Sequence, residues 1–402
     1  LTDVTPEPVT PEPAGPAAFD FSRLSRRPDI EAENLQAWDA ADRLLLDTAA
    51  ADLAAAAAGG PERNGSGAVV VIGDAYGALT LGAAADHGLA GLRVHQDPLS
   101  GEHALDRNAR QLGLEGAYRH HALEPALLDG ARLVLLRLPR SLDALEEIAG
   151  LIAAHASPEV TVYAGGRIKH MSTAMNDVLA RYFGSVTAGL GRQKSRILTA
   201  AAPLPPEARP AARFPVSQRH EVGLAAPLEL WAHGAAFAGP ALDIGTRFLL
   251  PLLAGARSAE RAVDLGCGTG AIAAYLALTR PALQVTATDQ SAAAVSSAQL
   301  TAAANGVGNR VSVRRGDALA GFPDASEDLV VLNPPFHIGA SVHAGIALKL
   351  FADAGRVLRP GGELWTVWNS HLMYKPALNR LVGPTREVAR NPKFTVTVST
   401  RR

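Results

Sequence analysis

The chain has little of what staples, anchors or strongly charges a protein. A single cysteine, Cys267, stands among 402 residues, which excludes an internal disulfide framework and any zinc site built on several thiolates. No apolar run approaches the length needed to cross a bilayer, and the opening LTDVTPEPVTPEPAGPA lacks the basic and apolar blocks of a signal peptide. A cytoplasmic protein is expected. No H-E-x-x-H occurs, and the adjacent His120 and His121 cannot form a metal site by themselves, so no metal is expected. The formal net charge is only −1, so any attraction to nucleic acid must come from local clusters of cations.

What is present is core material, with 48% hydrophobic and 19% charged residues over a length sufficient for two domains. Residues 1–18, rich in Pro, Glu, Thr and Ala, are expected to form a disordered tail. The proline-rich AAPLPPEARPAARFP at 201–215 is expected to link a first domain, 19–200, to a second, 216–402. In the second block, β-rich runs such as RAVDLG, QVTATD, RVSVRRG and DLVVLNPP alternate with Ala- and Leu-rich segments of helical length. This predicts a mostly parallel, doubly wound sheet. The closing EVARN and KFTVTVS are too near each other for a crossover helix and should pair antiparallel.

The first block reads as a faded copy of the second. VVVIGDAYGAL aligns with AVDLGCGTGAI, matching Gly73 to Gly266, Gly77 to Gly270 and Ala78 to Ala271. The copy has lost chemistry: Val71 stands for Asp264, Ala75 for Gly268 and Arg137 for Asn333. An old duplication with one degenerate half is the expectation.

The turn VDLGCGTGAIA lies between a strand and a helix, where glycine lets a ligand approach the backbone and the helix offers free N–H groups. Gly266, Gly268 and Ala271 also satisfy G-x-G-x-x-[GA], so the turn alone does not choose between a nicotinamide cofactor and another adenosine compound. Asp289 ends the next strand, where a carboxylate can accept both ribose hydroxyls. Asp317 follows the third strand and is placed to meet the exocyclic amine of an adenine. Successive strand ends thus carry one adenosine-shaped pattern.

In this order VDLGCGTG, Asp289, Asp317 and NPPF resemble the class I S-adenosylmethionine-dependent methyltransferases that act on an exocyclic amine. With ALDIGTRFLL, NPPFH, NSHLMY and NPKFTV the chain resembles, more narrowly, the two-domain ribosomal RNA guanine-N2 methyltransferases. The resemblance implies two tandem Rossmann-like domains, the first degenerate, with S-adenosylmethionine as cofactor. It further implies ribosomal RNA, or a ribosomal subunit assembly intermediate, as partner. Asp264, Gly266, Gly268, Gly270, Asp289, Asp317 and Asp243 would then serve the cofactor, Asp243 preceding a helix expected to close over its methionine end. Asn333 and the carbonyl of Pro334 would accept the N–H bonds of the target amine, Pro335 would stiffen the loop, and Phe336 would stack on the extruded base. His337, Asn369 and His371 are candidates at the same mouth.

Cys267 sits in the cofactor loop, away from any base, which speaks against covalent cytosine chemistry. None of the five lysines falls on a strand end suited to ribose 2′-O methylation. An N6-adenine or glutamine-amide methyltransferase remains the nearest alternative, and a non-catalytic RNA-binding assembly factor the alternative of another class. In the first block GGRIKHM and GRQKSR gather Arg167, Lys169, His170, Arg192, Lys194 and Arg196, a patch able to hold RNA phosphates.

Overall fold

The computed structural model describes residues 19–32, 35–59, 68–334 and 340–402, the side chains of 340–344 excepted. The segment expected to be a tail, together with Pro335, Phe336 and His337, therefore lies outside the described residues.

The first half contains β1 (Val69–Ile72), β2 (Leu92–His95), β3 (Tyr118–His120), β4 (Leu133–Arg137), β5 (Thr161–Arg167), β6 (Phe183–Ala188) and β7 (Ser195–Pro203). They form one sheet in the order β3-β2-β1-β4-β5-β7-β6. Its helices are α1 (Ala40–Ala58), α2 (Ala78–His87), α3 (Leu99–Leu112), α4 (Pro125–Leu128), α5 (Leu142–His155) and α6 (Thr173–Ala180). Strands β1 to β5 pair in parallel and β7 runs antiparallel to both β5 and β6. Alternation along the strands explains the two covered faces: Val69 and Val71 enter one apolar cluster, Val70 and Ile72 the other.

The second half opens with a hairpin, β8 (Val216–His220) and β9 (Leu228–Ala232), then α7 (Ile244–Leu249). The alternation resumes with β10 (Arg261–Leu265), α8 (Ala271–Thr279), β11 (Gln284–Asp289), α9 (Ala292–Ala304), β12 (Val311–Arg315) and β13 (Glu327–Leu332). It ends with α10 (Ala340–Val357), β14 (Leu358–Asn369), α11 (Lys375–Leu381), β15 (Thr385–Arg390) and β16 (Phe394–Thr400). The sheet order, β12-β11-β10-β13-β14-β16-β15, repeats that of the first sheet strand for strand. As expected, β15 and β16 pair antiparallel. Helix α8, AIAAYLALT, is apolar on every side and correspondingly buried along nearly its whole length.

Two features depart from the sequence reading. Strand β7 continues to Pro203, so the sheet extends into the segment expected to be linker. The rest of that segment is tied down, since Arg213 donates to Asp143 (3.0 Å) and Glu146 (3.0 Å) on α5. The hairpin β8–β9 was not foreseen because VSQRH is short and polar. It is fixed by tertiary bonds instead, Trp231 N donating to Thr301 Oγ1 on α9 (3.0 Å) and Asn305 Nδ2, just past that helix, to Glu229 O (2.7 Å).

The halves meet where the chain leaves the second strand of each, β2 and β11. Leu99 N donates to Gln290 O and Ala292 N to Asp97 O, both at 2.9 Å, around an antiparallel rung of Pro98 and Ser291. Asp97 caps α9 across the seam by accepting from Ser291 Oγ (2.9 Å) and Ala293 N (2.9 Å). Arg315, at the end of β12, donates to Glu102 Oε1 (2.7 Å) and to the carbonyls of Gln96 and Asp97 (2.8 Å each).

Candidate active site

A cavity of about 560 Å³ opens at the C-terminal ends of β10, β11, β12 and β13, where ligands of open α/β sheets bind. Among the sequence-predicted residues it is lined by Gly266, Gly268, Asp289, Asp317, Asp243, Asn333 and Pro334. The floor is the turn after β10. Gly266, Gly268 and Gly270 have φ of +69°, +51° and +79°, a region that favours glycine. No atom lies within 4 Å of where a Cβ would stand on Gly266 or Gly268, so the backbone there is open to a ligand. Gly270 has a different reason to be glycine: a Cβ would lie 2.9 Å from that of Ala298.

Asp264 and Gly270 were expected at the cofactor but do not line the cavity. Asp264 is fully buried beneath the turn, where Oδ2 accepts from Ala273 N (2.9 Å) and fixes the first turn of α8. Burial pushes its carboxyl up to about 7. Asp289 does line the cavity, one oxygen held by Gly268 N (3.0 Å) and the other by Ser291 N (3.0 Å). Burial raises its pKa, and those backbone N–H groups oppose the shift. Cys267 is buried, its thiol pushed well up by burial and by Asp264 and Asp289, which leaves it no nucleophile.

Asn333 is held by groups the sequence did not link to it. Its Nδ2 donates to Asp243 Oδ2 (2.9 Å) and Thr246 Oγ1 (2.9 Å). A carboxylate can only accept, so this pair fixes which end of the amide faces which way. The opposite atom, Oδ1, is buried and has no partner among the described residues. Asp243 also caps α7, accepting from Thr246 N (2.9 Å). It therefore acts as an anchor for Asn333, a role distinct from the expected closure over a cofactor.

Asp317 is engaged by Lys349, whose Nζ lies 2.6 and 2.7 Å from its two oxygens. A carboxylate offers about four acceptor sites, so room remains for an amine beside the lysine. Ile346, Leu350 and Ala318 supply apolar wall nearby. The first half contributes as well: Pro28, Asp29, Ile30 and Ser100 line the same cavity. Asp29 is fixed by accepting from Tyr76 Oη (2.6 Å) and Arg26 Nη2 (2.9 Å).

Lys169, Arg192, Lys194 and Arg196 lie apart from this cavity, exposed on the first half near the turn between β6 and β7. Neither Asn369 nor His371 is among the lining residues. Among the described residues no group of three or more His, Cys, Asp or Glu side chains could hold a metal, and no helix is long and apolar enough to cross a membrane. Thr246, Lys349 and the 28–30 segment were missed by sequence reasoning, since each reaches the cavity only through contacts distant along the chain.

The C-terminal part, residues 227–398, matches the family model described as Methyltransferase small domain. Residues 16–204 match the RLMG N-terminal domain model. The chain is 37% identical over 384 residues to Ribosomal RNA large subunit methyltransferase G of Streptomyces coelicolor, covering 93% of this chain and 96% of the relative. It is 36% identical over 385 residues to the protein of the same name from Pseudomonas aeruginosa strain PAO1, covering 94% and 98%. Among solved structures, the T. thermophilus 16S rRNA N2 guanine methyltransferase RsmC, in complex with AdoMet and guanosine, superposes with a TM-score of 0.67 at 21% identity. That match covers 83% of this chain and 88% of the other.

Proposed function

The chain belongs to the ribosomal RNA large subunit methyltransferase G family, and on that premise we propose that it methylates the exocyclic N2 amine of a guanine in large-subunit ribosomal RNA. Catalysis falls to residues 216–402 and substrate recruitment to 19–200, with naked RNA or a cytoplasmic assembly intermediate of the subunit as substrate. The observation that carries the site assignment is the buried Oδ1 of Asn333 on the cavity wall, which has no partner among the described residues.

The cavity suits S-adenosylmethionine: an open glycine turn beside Asp289 for the ribose hydroxyls, and Asp317 with an apolar wall for the adenine. When bound there, the cofactor supplies an electrophilic methyl group on a sulfonium. The protein's task is to present the amine. A guanine N2 lone pair is delocalised into the ring and is a poor nucleophile. Asn333 Oδ1 and the Pro334 carbonyl accept its two N–H bonds, aim the remaining pair and stabilise the positive charge that grows on nitrogen. Asp243 strengthens this acceptor from behind, because a carboxylate that draws on Nδ2–H polarises the amide and enriches Oδ1 in negative charge. Pro335 and Phe336, which lie outside the described residues, take from the family resemblance the roles of backbone stiffening and base stacking. Lys169, Arg192, Lys194 and Arg196 hold RNA phosphates at a distance.

The test is methyl transfer from labelled cofactor to separated ribosomal RNAs of a strain lacking the modification, followed by nucleoside analysis. Labelled N2-methylguanosine in the large-subunit RNA is expected. N6-methyladenosine, or label in protein, would overturn the assignment.

A further inference from the structure

The turn between β6 and β7 carries strain that its counterpart in the second half avoids. Gln193 and Lys194, consecutive and neither of them glycine, have φ of +48° and +60°. They are closed into a tight turn by Arg192 N to Ser195 O (2.9 Å) and Ser195 N to Arg192 O (2.8 Å). Such a turn is normally built from Asn-Gly or Gly-Gly. The matching turn between β15 and β16 spans only 391–393, contains no left-handed residue and is closed by Asn391 Oδ1, which accepts from Lys393 N and Phe394 N. The first half thus holds a longer, more strained loop, and strain retained at a surface tip points to use there.

The tip displays cations, aliphatic side chains and no acidic group. Lys169, Arg192, Lys194 and Arg196 are exposed about it and form no ion pair among the described residues, with Arg140 and the half-buried Arg167 nearby. Leu190 is 89% exposed and Ile168 41%, and Ile168 N donates to Lys194 O (2.9 Å), so the cations and the aliphatic side chains share one surface. Burial first, and then the Arg140, Lys169 and Arg167 cations, lower the pKa of His170. The hairpin sits at the edge of the sheet farthest from the seam between the halves.

Resting on the reading of the substrate as ribosomal RNA, we propose that this hairpin tip docks on an unpaired loop or bulge of that RNA, away from the methylated guanine. Its cations meet phosphates, Leu190 lies on the face of an unstacked base, and the Gln193 amide bonds a base edge. Single-stranded RNA fits the surface better than duplex, because splayed bases offer the faces and edges that an A-form helix hides. An acidic protein would satisfy the cations and leave Leu190 and Ile168 without a match.

The full chain is tested for binding to large-subunit ribosomal RNA over a range of salt, with melting temperature and S-adenosylmethionine affinity measured in parallel. The double variant Gln193→Gly, Lys194→Gly relieves the strained turn and should melt higher, yet bind RNA roughly tenfold more weakly, with a salt slope shallower by about 0.7 for the lost phosphate contact. Leu190→Ala should weaken binding several-fold with the slope unchanged, since it neutralises no phosphate. Cofactor affinity should hold in both. If the wild type methylates the RNA and both variants bind it normally, the docking proposal falls alone. If the wild type binds cofactor but methylates no ribosomal RNA, the substrate reading falls and this proposal with it.

Discussion

The turns at 73–77 and 266–270 follow one backbone path with different contents. Gly73, Ala75 and Gly77 have φ of +79°, +60° and +101°, matching the three left-handed glycines of the second turn even where one has become alanine. Gly73 N donates to His95 O as Gly266 N does to Thr288 O. Above Gly266 there is open space, whereas the carbonyl oxygen of Arg137 stands 3.3 Å from where a Cβ on Gly73 would be. Arg137 occupies the position of Asn333 and spends its guanidinium on Asp42 (2.9 Å) and Asp39 (2.9 Å) at the start of α1. Gln96, at the position of Asp289, turns away to donate to Gly101 O (3.2 Å). The two sheets share one turn geometry, and in the first half the residues at the corresponding polar positions find partners inside the protein.

The largest effect is expected in the half that keeps its cavity. Asn333→Ala should cut turnover at least a hundredfold, typical of losing one pre-organised electrostatic contact, while cofactor affinity by calorimetry stays near that of the wild type. Near-normal turnover would remove Asn333 from catalysis. Next in size, Arg137→Ala should leave Asp42 buried and uncompensated and destabilise the first half by about 3 kcal/mol, read as an early transition in denaturant; an unchanged midpoint would show the ion pairs to be idle. Asp289→Gln installs the first half's residue in the second and should weaken cofactor binding by about tenfold, with equal affinity ruling out the ribose contact. The smallest effect is expected of Ala75→Gly, which relieves one left-handed alanine and should stabilise the chain by less than about 1 kcal/mol. A loss of stability there would mean that the Cβ packs usefully.

Much of this was legible because strand ends announce themselves. The order of β-rich runs gave the sheet, and the ends of β10, β11 and β13 gave the glycine turn, Asp289, Asn333 and Pro334 of the cavity wall. The failures have a common cause. Val71 reads as the loss of Asp264, yet the carboxylate has moved a short way along the chain: Asp74 accepts from Leu79 N (2.7 Å) and Thr80 N (2.8 Å), the helix turn that Asp264 holds in the other half. Its pKa, like that of Asp264, is pushed up to about 7 by burial. Asp243 reads as a helix cap and is one, but its grip on Asn333 joins positions far apart in sequence that no local pattern connects. The strands near Val216 were invisible because α9, and not their own alternation, decides their conformation.

The seam at Pro98 and Ser291 is symmetric. Each residue of that rung stands at the same place in its own half, and the bond from Leu99 to Gln290 is the mirror of the bond from Ala292 to Asp97. This is the geometry of a two-fold, self-complementary interface, of the kind by which identical subunits pair. In a pair of separate subunits every substitution would appear on both sides. Joined in one chain, the partners are held at high effective concentration without depending on dilution, and each side varies alone. Arg315 shows the freedom this gives: it grips Glu102, Gln96 and Asp97 across the seam, while its counterpart in the first half is Ala122. The halves could become unequal in chemistry because their symmetric contact remained sufficient to keep them together.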